Sequence, residues 1–475
     1  MRKFSGSAKR SRKSKIMQYE IVNLVFYILY IIYSSMMVHF VLFGIVGTFA
    51  KKTYPKTNVI NRYGLIIPAR NEELVVGGLI DSIRANDYPQ DKLDIFVIAH
   101  NCTDKTAEIA RAKGVHVYEY NNPNECTMGY AFKHLFSCIE RDFKTSSYDG
   151  FFLFNADNTL EPNYFSKMND AFEYYGKKNV VTSYRNSKNF GSNVMSCLYG
   201  IYFLSGCRFE ARGRTVCGCS TRVQGTGYVI NSNIVKDGWP YVTLTEDWEF
   251  STDQILDGNL IKYCDDAIFY DEQPTDMKIM WRQRVRWSRG HLLVCLARFT
   301  DLIKALFSKK TKHKFSVYDI FANILPFCVV ITLIFLLHQV ILSIGMACDG
   351  ESAKTILMGT LIEHPWETLI KASPIENVYN WITNNTIEGN IKLGWVPWII
   401  RSAIPWYFIS LVPSIVIMIA DRKRIHNVKW YTKIAACFVW PFFIGLQFLI
   451  DFQALFMKNL GWKPIPHKEK SNFEK

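Results

Sequence analysis

Residues 63–73 read YGLIIPARNEE, residues 93–104 read LDIFVIAHNCTD and residues 151–158 read FFLFNADN. Each is an apolar run that ends abruptly in a polar loop. A short continuous apolar run bounded by turn residues marks a strand buried on both faces. Here the runs give strands at Tyr63–Pro68, Leu93–Ala99 and Phe151–Phe154, with a further short strand at Val115–Tyr120. Between them Asn71–Asp87, Thr103–Lys113 and Gly129–Ile139 carry apolar residues at helical spacing. Alternation of strand and helix predicts an α/β fold, a mostly parallel sheet with flanking helices on both faces. Ligands of such sheets bind beyond the carboxyl ends of the strands, where PARNEE, HNCTD and NADN fall. No G-x-G-x-x-G or P-loop lysine motif is present, which sets dinucleotide and ATP chemistry aside.

Outward from this region the composition changes. Of the 475 residues 49% are hydrophobic and 15% aromatic, and the apolar residues concentrate near the N-terminus and in the last third. A bilayer core of about 30 Å needs about 20 apolar residues as a helix. Ile21–Ala50, Tyr318–Met346, Ile404–Ala420 and Ile434–Phe456 meet that need, with Pro326 and Pro413 interrupting two of them. Trp395, Trp398, Trp406, Trp430 and Trp440 lie near the proposed ends, as interfacial aromatics do. The layout is therefore a basic tail at 1–17, a transmembrane helix at 18–50, a soluble domain at 51–274, interfacial helices at 275–312, and transmembrane helices at 313–475 with an external loop at 347–393. Residues 291–308 suit either a helix lying in the membrane interface or a buried amphipathic helix of the soluble domain.

The net charge is +14, and seven basic residues with no acidic one lie in Arg2–Lys15. Beside a long apolar run these charges point to membrane lipid as partner and away from nucleic acid. Lys51, Lys52, Lys56 and the Asp421–Arg424 cluster put the soluble domain in the cytoplasm of a multi-pass plasma-membrane protein. The basic tail asks for the same side, which one crossing by Ile21–Ala50 does not allow; a hairpin or a broken charge rule are the two ways out. Twelve cysteines show no paired spacing, and the C-x-C of Cys217 and Cys219 stands alone. That excludes a zinc site by pattern and fits reduced thiols in a cytosol.

Four stretches can carry chemistry. Asp157, in Asn155-Ala156-Asp157-Asn158 at a strand end, can hold a divalent ion against a diphosphate, or the four residues simply form a turn. Thr245-Glu246-Asp247 opens a helix and reads as an N-cap with acids at the positive dipole end, or as a catalytic base. Gln283-Arg284-Val285-Arg286-Trp287 sets cations beside an aromatic face, suited to a diphosphate or to lipid phosphates. Gly225-Thr226-Gly227 allows a ligand close to the backbone.

Taken in order, PARNEE at 68–73, NCTD at 101–104, NADN at 155–158, SYRNSKN at 183–189, GTG at 225–227, TED at 245–247 and QRVRW at 283–287 resemble the membrane-bound, processive branch of the family 2 glycosyltransferases. That group includes cellulose, chitin and hyaluronan synthases. The likeness runs from about Tyr63 to Gly290, and QRVRW fits Q-x-x-R-W, the most specific single motif of the branch.

The resemblance implies a GT-A type sheet domain and an inverting transferase that polymerises a β-linked polysaccharide from a UDP-sugar, with UDP-glucose favoured over UDP-N-acetylglucosamine. Asp247 would be the general base. Pro68, Ala69, Glu72, His100, Asp104 and Asp157 would bind the sugar nucleotide, with Asp157 holding Mg2+ or Mn2+. Gly225, Thr226, Gly227, Glu246, Gln283, Arg286 and Trp287 would face the acceptor, a growing polysaccharide, and the diphosphate. Three positions depart from the pattern. Asn155 stands where the first acid of D-x-D is usual, His100 where an aspartate often contacts uracil, and Met128 where a lysine is common. The other readings are transfer of one sugar to a lipid acceptor, an inactive membrane scaffold, and a transporter. Retention of Asp157 and Asp247 speaks against the scaffold, and the scarcity of ionisable residues in the spans against the transporter. No accessory protein is indicated.

Overall fold

A computed structural model describes residues 21–349 and 396–457. The basic tail, the proposed external loop from residue 350 onward, Trp395, and the C-terminal lysines from Lys458 on lie outside the described residues. In chain order the elements are α1 (Ile21–Phe49), β1 (Tyr63–Ala69), α2 (Val76–Arg84), β2 (Leu93–His100), α3 (Thr106–Ala112), β3 (His116–Tyr120), α4 (Met128–Asp142), β4 (Gly150–Leu153) and β5 (Thr159–Leu160). Then come α5 (Tyr164–Tyr174), β6 (Val180–Ser187), α6 (Val194–Ser205), β7 (Tyr228–Asn231), α7 (Glu246–Leu256), β8 (Ile261–Asp271) and α8 (Met277–Phe307). The chain closes with α9 (Lys314–Ile324), α10 (Phe327–Asp349), α11 (Val396–Ala420) and α12 (Trp430–Phe456).

The contacts divide the chain into two compact units. The larger holds residues 39–326, 414–439 and the chain from 443 onward. Its eight strands form one sheet in the order β3-β2-β1-β4-β7-β6-β8-β5. Parallel pairing joins β1 to β2 and β4, β2 to β3, and β6 to β8, while β7 runs antiparallel to β4 and β6, and β5 to β8. The sheet is thus mixed, with parallel pairs in the majority by four to three. Successive side chains of a strand face opposite ways, and β1 shows it. Tyr63, Leu65 and Ile67 enter one core with Leu79 and Ile83 of α2 and Phe165 and Phe172 of α5. Ile66 enters the other with Phe132 and Phe136 of α4, Trp239 and Phe250.

Two helix expectations shift. The pattern at Asn71–Asp87 becomes a helix only from Val76, because Asn71 adopts φ 57° and turns the chain first. The motif region expected as interfacial helices at 275–312 is a single 31-residue helix, α8, which exposes Leu293, Leu296, Phe299 and Phe307 along its second half.

Among the described residues two helices are long and apolar enough to cross a membrane, Ile21–Phe49 and Trp430–Phe456. The stretch expected as one span at Tyr318–Met346 is bent by 67° between Lys314–Ile324 and Val329–His338. Pro326 sits in that break, where its ring and missing N–H stop a helix. Pro413, expected to interrupt its span, lies inside the continuous α11. In the smaller unit His338 of α10 bonds Asn23 through Nε2 at 2.9 Å and stacks on Phe26 at 4.4 Å.

After α6 the helix widens into a π-turn, Gly206–Arg212, and closes with Gly213–Val216. Three arginines of this stretch are buried and paired. Arg208 meets Asp421 at 2.6 Å, Arg214 meets Asp319 at 2.6 Å, and Arg212 meets Asp265, which also holds Arg424 at 2.9 Å. Removing one partner of a buried pair leaves an uncompensated charge and costs about 3–5 kcal/mol. Asp265→Ala strands two guanidinium groups and should lower stability by at least that much. Thermal unfolding of the purified protein checks this; an unchanged midpoint would show that the arginines find other partners.

Candidate active site

The register of the parallel strands sets the site. Ala69 pairs with Ala99 and Ile66 with Leu153, so the ends of β1, β2 and β4 line one edge of the sheet. The loops after β1 and β2 bind each other. Asn71 and Asn101 both take left-handed backbone, at φ 57° and 53°, a conformation asparagine tolerates better than most residues. Thr103 N donates to Asn71 Oδ1 at 2.8 Å, and Cys102 Sγ donates to the carbonyl of Ala69 at 3.3 Å. Asp104 accepts from Glu73 N at 3.1 Å and from Thr106 N at 3.0 Å, while Glu72 N donates to Thr106 Oγ1 at 2.8 Å. Both oxygens of Asp104 are therefore engaged in holding the Pro68–Ala69–Glu72 loop in place.

His100 is buried, and Nε2 lies 2.7 Å from the carbonyl of Glu125. A carbonyl only accepts, so Nε2 carries the proton and Nδ1 stays an acceptor. Burial holds the ring neutral by lowering its pKa, and it stacks on Tyr120.

The NADN and GTG loops form one piece. Asn155 N donates to Thr226 Oγ1 at 2.9 Å, and Thr226 Oγ1 donates to Asn158 Oδ1. Asp157 is only lightly held, by Asn158 Nδ2 at 3.2 Å and Glu272 N at 3.3 Å. Beside it, burial pushes Asp271 up to about 6, against the pull of Arg185 and with the Asp157 charge adding to the rise. Among the described residues no three His, Cys, Asp or Glu side chains converge on a metal position. Asn155 Oδ1, however, is buried with no hydrogen-bond partner among them. An amide oxygen and a carboxylate two residues apart make two hard donors, which suits an ion that takes its other ligands from phosphate and water.

Asp247 stands in the first turn of α7, its Oδ1 accepting from Trp248 N at 2.9 Å. Glu246 beside it is buried. Burial and the Asp247 charge push Glu246 up to about 8. Burial also raises Asp247, while Arg222, the Trp248 N–H and Arg286 pull it back. In this pair Asp247 ionises first. The GTG loop comes up against it, because a methyl group on Gly225 would lie 3.7 Å from Asp247 Oδ2. Gly227, at φ 68°, backs onto the Phe269 ring so closely that a Cβ would sit at 2.1 Å.

Helix α8 closes the far side. Arg286 Nη1 donates to the carbonyl of Leu244 at 3.0 Å, just before Thr245-Glu246-Asp247. Gly290 packs on Thr245, where a Cβ would meet Cγ2 at 2.4 Å. Gln283 Oε1 accepts from Tyr199 OH at 2.9 Å, and Trp287 lies among Tyr199, Tyr202 and Phe203 of α6. The intervening Arg284 points away and is buried against α12, bonding the carbonyl of Phe443 at 2.9 Å and Gln447 Oε1 at 2.8 Å. Contacts thus link Asp157 through Thr226 and Gly225 to Asp247, and Asp247 through Thr245 to α8. The loop after β3 joins from the other end, since Thr127 Oγ1 donates to the carbonyl of Val242 at 2.9 Å, and the β1 and β2 loops bind that loop through Arg70 to the carbonyl of Cys126 and His100 to that of Glu125.

The model of the family described as glycosyltransferase like family 2 matches residues 61–290. These residues form a family 2 glycosyltransferase domain. Its eight-stranded sheet is mixed, with flanking helices. The chain is 27% identical over 279 residues to a probable glycosyltransferase of Bacillus subtilis, YdaM, an alignment covering 57% of this chain and 62% of that protein. It is 24% identical over 248 residues to the poly-beta-1,6-N-acetyl-D-glucosamine synthase of Staphylococcus epidermidis, covering 50% and 57%. The chain spans about three fifths of the length of these relatives. A solved mannosyltransferase of Pyrobaculum calidifontis, in complex with GDP-Man and Mn2+, superposes with TM-score 0.47 at 14% identity, over 75% of this chain and 95% of that one.

Three residues escaped the reading of the glycosyltransferase motifs. Gly290 carries no signal in one sequence, since a helical glycine reads as neutral. Arg222 lies between motifs, and Arg185 lies inside SYRNSKN without a role of its own there; both gain meaning only from what folds against them.

Proposed function

We propose that the chain is an inverting membrane glycosyltransferase that extends a β-linked polysaccharide from a UDP-sugar on the cytoplasmic side of the plasma membrane. The product then crosses through its apolar helices. The observation that carries this reading is the half-buried Asp247, set against Gly225 and drawn toward its ionised form by Arg222 and Arg286. Asp247 takes the proton of the acceptor hydroxyl as that oxygen attacks the anomeric carbon and the bond to UDP breaks, inverting the sugar. Glu246 keeps its proton at neutral pH and donates a hydrogen bond to the acceptor. Arg286 and Gln283 meet the diphosphate, with Trp287 as the floor of the acceptor site. Pro68, Ala69, Glu72, His100 and Asp104 form the nucleotide end. A divalent ion, Mg2+ or Mn2+, held by Asp157 with the amide oxygen of Asn155, supplies positive charge toward the leaving group.

UDP-glucose was the donor favoured by motifs alone. The names of the staphylococcal relatives move the preference to UDP-N-acetylglucosamine. Incubating the purified protein in lipid with radiolabelled UDP-sugars, then digesting the product with linkage-specific hydrolases, tests donor and linkage together. A single sugar on a lipid acceptor would replace the polymer reading.

Metal dependence gives a separate prediction. Transfer should stop in chelator and return with Mg2+ or Mn2+. Asn155→Asp restores a second carboxylate and should lower the half-saturating metal concentration by about tenfold, in line with about 1.4 kcal/mol for one added ligand charge. An unchanged metal requirement in that variant removes Asn155 from the coordination shell.

A further inference from the structure

We propose that Arg222 is a positioning residue for the transfer step, holding Asp247 in its charged form and in place, and that a chain of ion pairs beginning on α1 holds Arg222 in turn. This rests on the reading of Asp247 as the base. The Arg222 guanidinium lies 4.5 Å from the centre of the Trp248 ring, and the Trp248 N–H is bonded to Asp247 Oδ1. Arg222 Nη2 is 3.3 Å from Glu210 Oε2, the same oxygen that lies 3.4 Å from Arg214 Nη1. Arg214 Nε continues to Asp319 Oδ2 at 2.6 Å, and Asp319 Oδ1 to His39 Nε2 at 2.8 Å. Donors and acceptors alternate from His39 on α1 as far as Arg222, which lies over the Trp248 ring beside Asp247. The Arg214, Asp319 and His39 side chains are 2%, 4% and 9% exposed and Arg222 is 17% exposed, while Glu210, at 36%, is the link that faces water. Arg222 Nε is buried and has no partner among the described residues.

The groups around Asp247 come from three places. Glu246 and Glu249 share its helix, Arg286 and His291 come from α8, and Arg222 comes from the segment before Gly225. His291 lies 4.3 Å from the Trp248 ring, and burial pushes it down to about 3, so it adds no charge at neutral pH. Two cations therefore oppose two carboxylates. Under the proposed mechanism Arg286 also serves the departing diphosphate, which draws on its field during the reaction. Arg222 has no such second task and stays with Asp247 throughout. Its planar group lies over the indole, an arrangement that a lysine ammonium does not reproduce.

The test is the pH profile of kcat/KM for the full-length enzyme in lipid with divalent metal and UDP-sugar, measured on wild type, R222Q, R222K, E210Q and D247N. An opposite charge nearby lowers a carboxylate pKa by about 1–3 units. R222Q should move the acid limb up by about one pH unit and lower the rate along that limb by about tenfold, with recovery as pH rises. R222K keeps the limb near its wild-type place while losing turnover. E210Q, which releases Arg222 from the chain that holds it, should move the limb the same way by less than R222Q, while UDP binding stays near wild type. UDP binding by R222Q close to that of wild type shows an intact domain. A R222Q profile that is parallel to wild type and lower by a constant factor overturns the proposal. Turnover by D247N overturns the base assignment beneath it, whereas an inactive D247N with an unshifted R222Q limb overturns the Arg222 inference alone.

Discussion

Asp247→Asn is expected to lower sugar transfer by about 10²- to 10⁴-fold, the range for loss of a general base, while donor binding stays close to wild type. The amide keeps the size of the side chain and can still accept from Trp248 N, so the first turn of α7 survives. It has no basic oxygen to offer a hydroxyl. In the wild type the rate should rise with pH as Asp247 loses its proton, because only the carboxylate is the base. Burial places that step above the ordinary aspartate range, and Arg222 and Arg286 limit the rise. Glu246 stays protonated until about pH 8. The sign for stability is opposite. Both carboxyls hold protons more tightly folded than unfolded, so their contribution to the fold is complete in mild acid and declines as pH rises toward 8. Isothermal titration with UDP alongside initial rates separates the two roles. Loss of UDP binding in the variant would make Asp247 a helix cap and end its assignment as base.

Gly290→Ala should have the second largest effect, about 10²-fold on kcat, without touching a reacting group. A Cβ at this position would lie 2.4 Å from Thr245 Cγ2, 2.5 Å from Oγ1 and 2.9 Å from Cβ. Thr245 is a short β-branched side chain at 4% exposure and cannot swing clear. The helix bearing Gln283, Arg286 and Trp287 must move instead, and displacements near 1 Å cost about 10²-fold in well-aligned sites. Adding Thr245→Ala to the variant removes the two closest contacts and should recover part of the rate. A single variant with wild-type kcat would mean that α8 has slack at this crossing.

The sheet was legible because β1, β2 and β4 are buried on both faces and so read as unbroken apolar runs. The loops were legible for the same reason, since polar residues begin where the strands leave the core at Ala69, His100 and Leu153. What escaped was long-range. Nothing near Val229 announces an antiparallel strand inserted between β4 and β6, because strand order is decided by pairing partners far apart in sequence. The fate of each proline depended on the fold as well. Pro326 ends a helix and Pro413 does not, although both sit in apolar segments. In the site, Asp104 reads as a ligand by motif, yet its oxygens are occupied by Glu73 and Thr106. Asn155 reads as a weakened metal ligand, and its buried oxygen, without a hydrogen-bond partner among the described residues, is what supports its proposed place beside Asp157.

Arg284 reaches Gln447, Gln447 Nε2 donates to Ser288 Oγ at 2.8 Å, and Ser288 Oγ donates to Asp451 Oδ1 at 2.6 Å. The helix that carries the last catalytic motif is thereby moored to a segment about 160 positions further along the chain. An expression fragment cut at residue 290 would include every motif and still lack the anchor for Arg284, exposing a cation and an apolar flank where α12 belongs. Biochemistry on this enzyme accordingly calls for an expressed chain that runs at least to Phe456, and a natural stop codon upstream of α12 would be a loss-of-function allele even with all the motif residues translated.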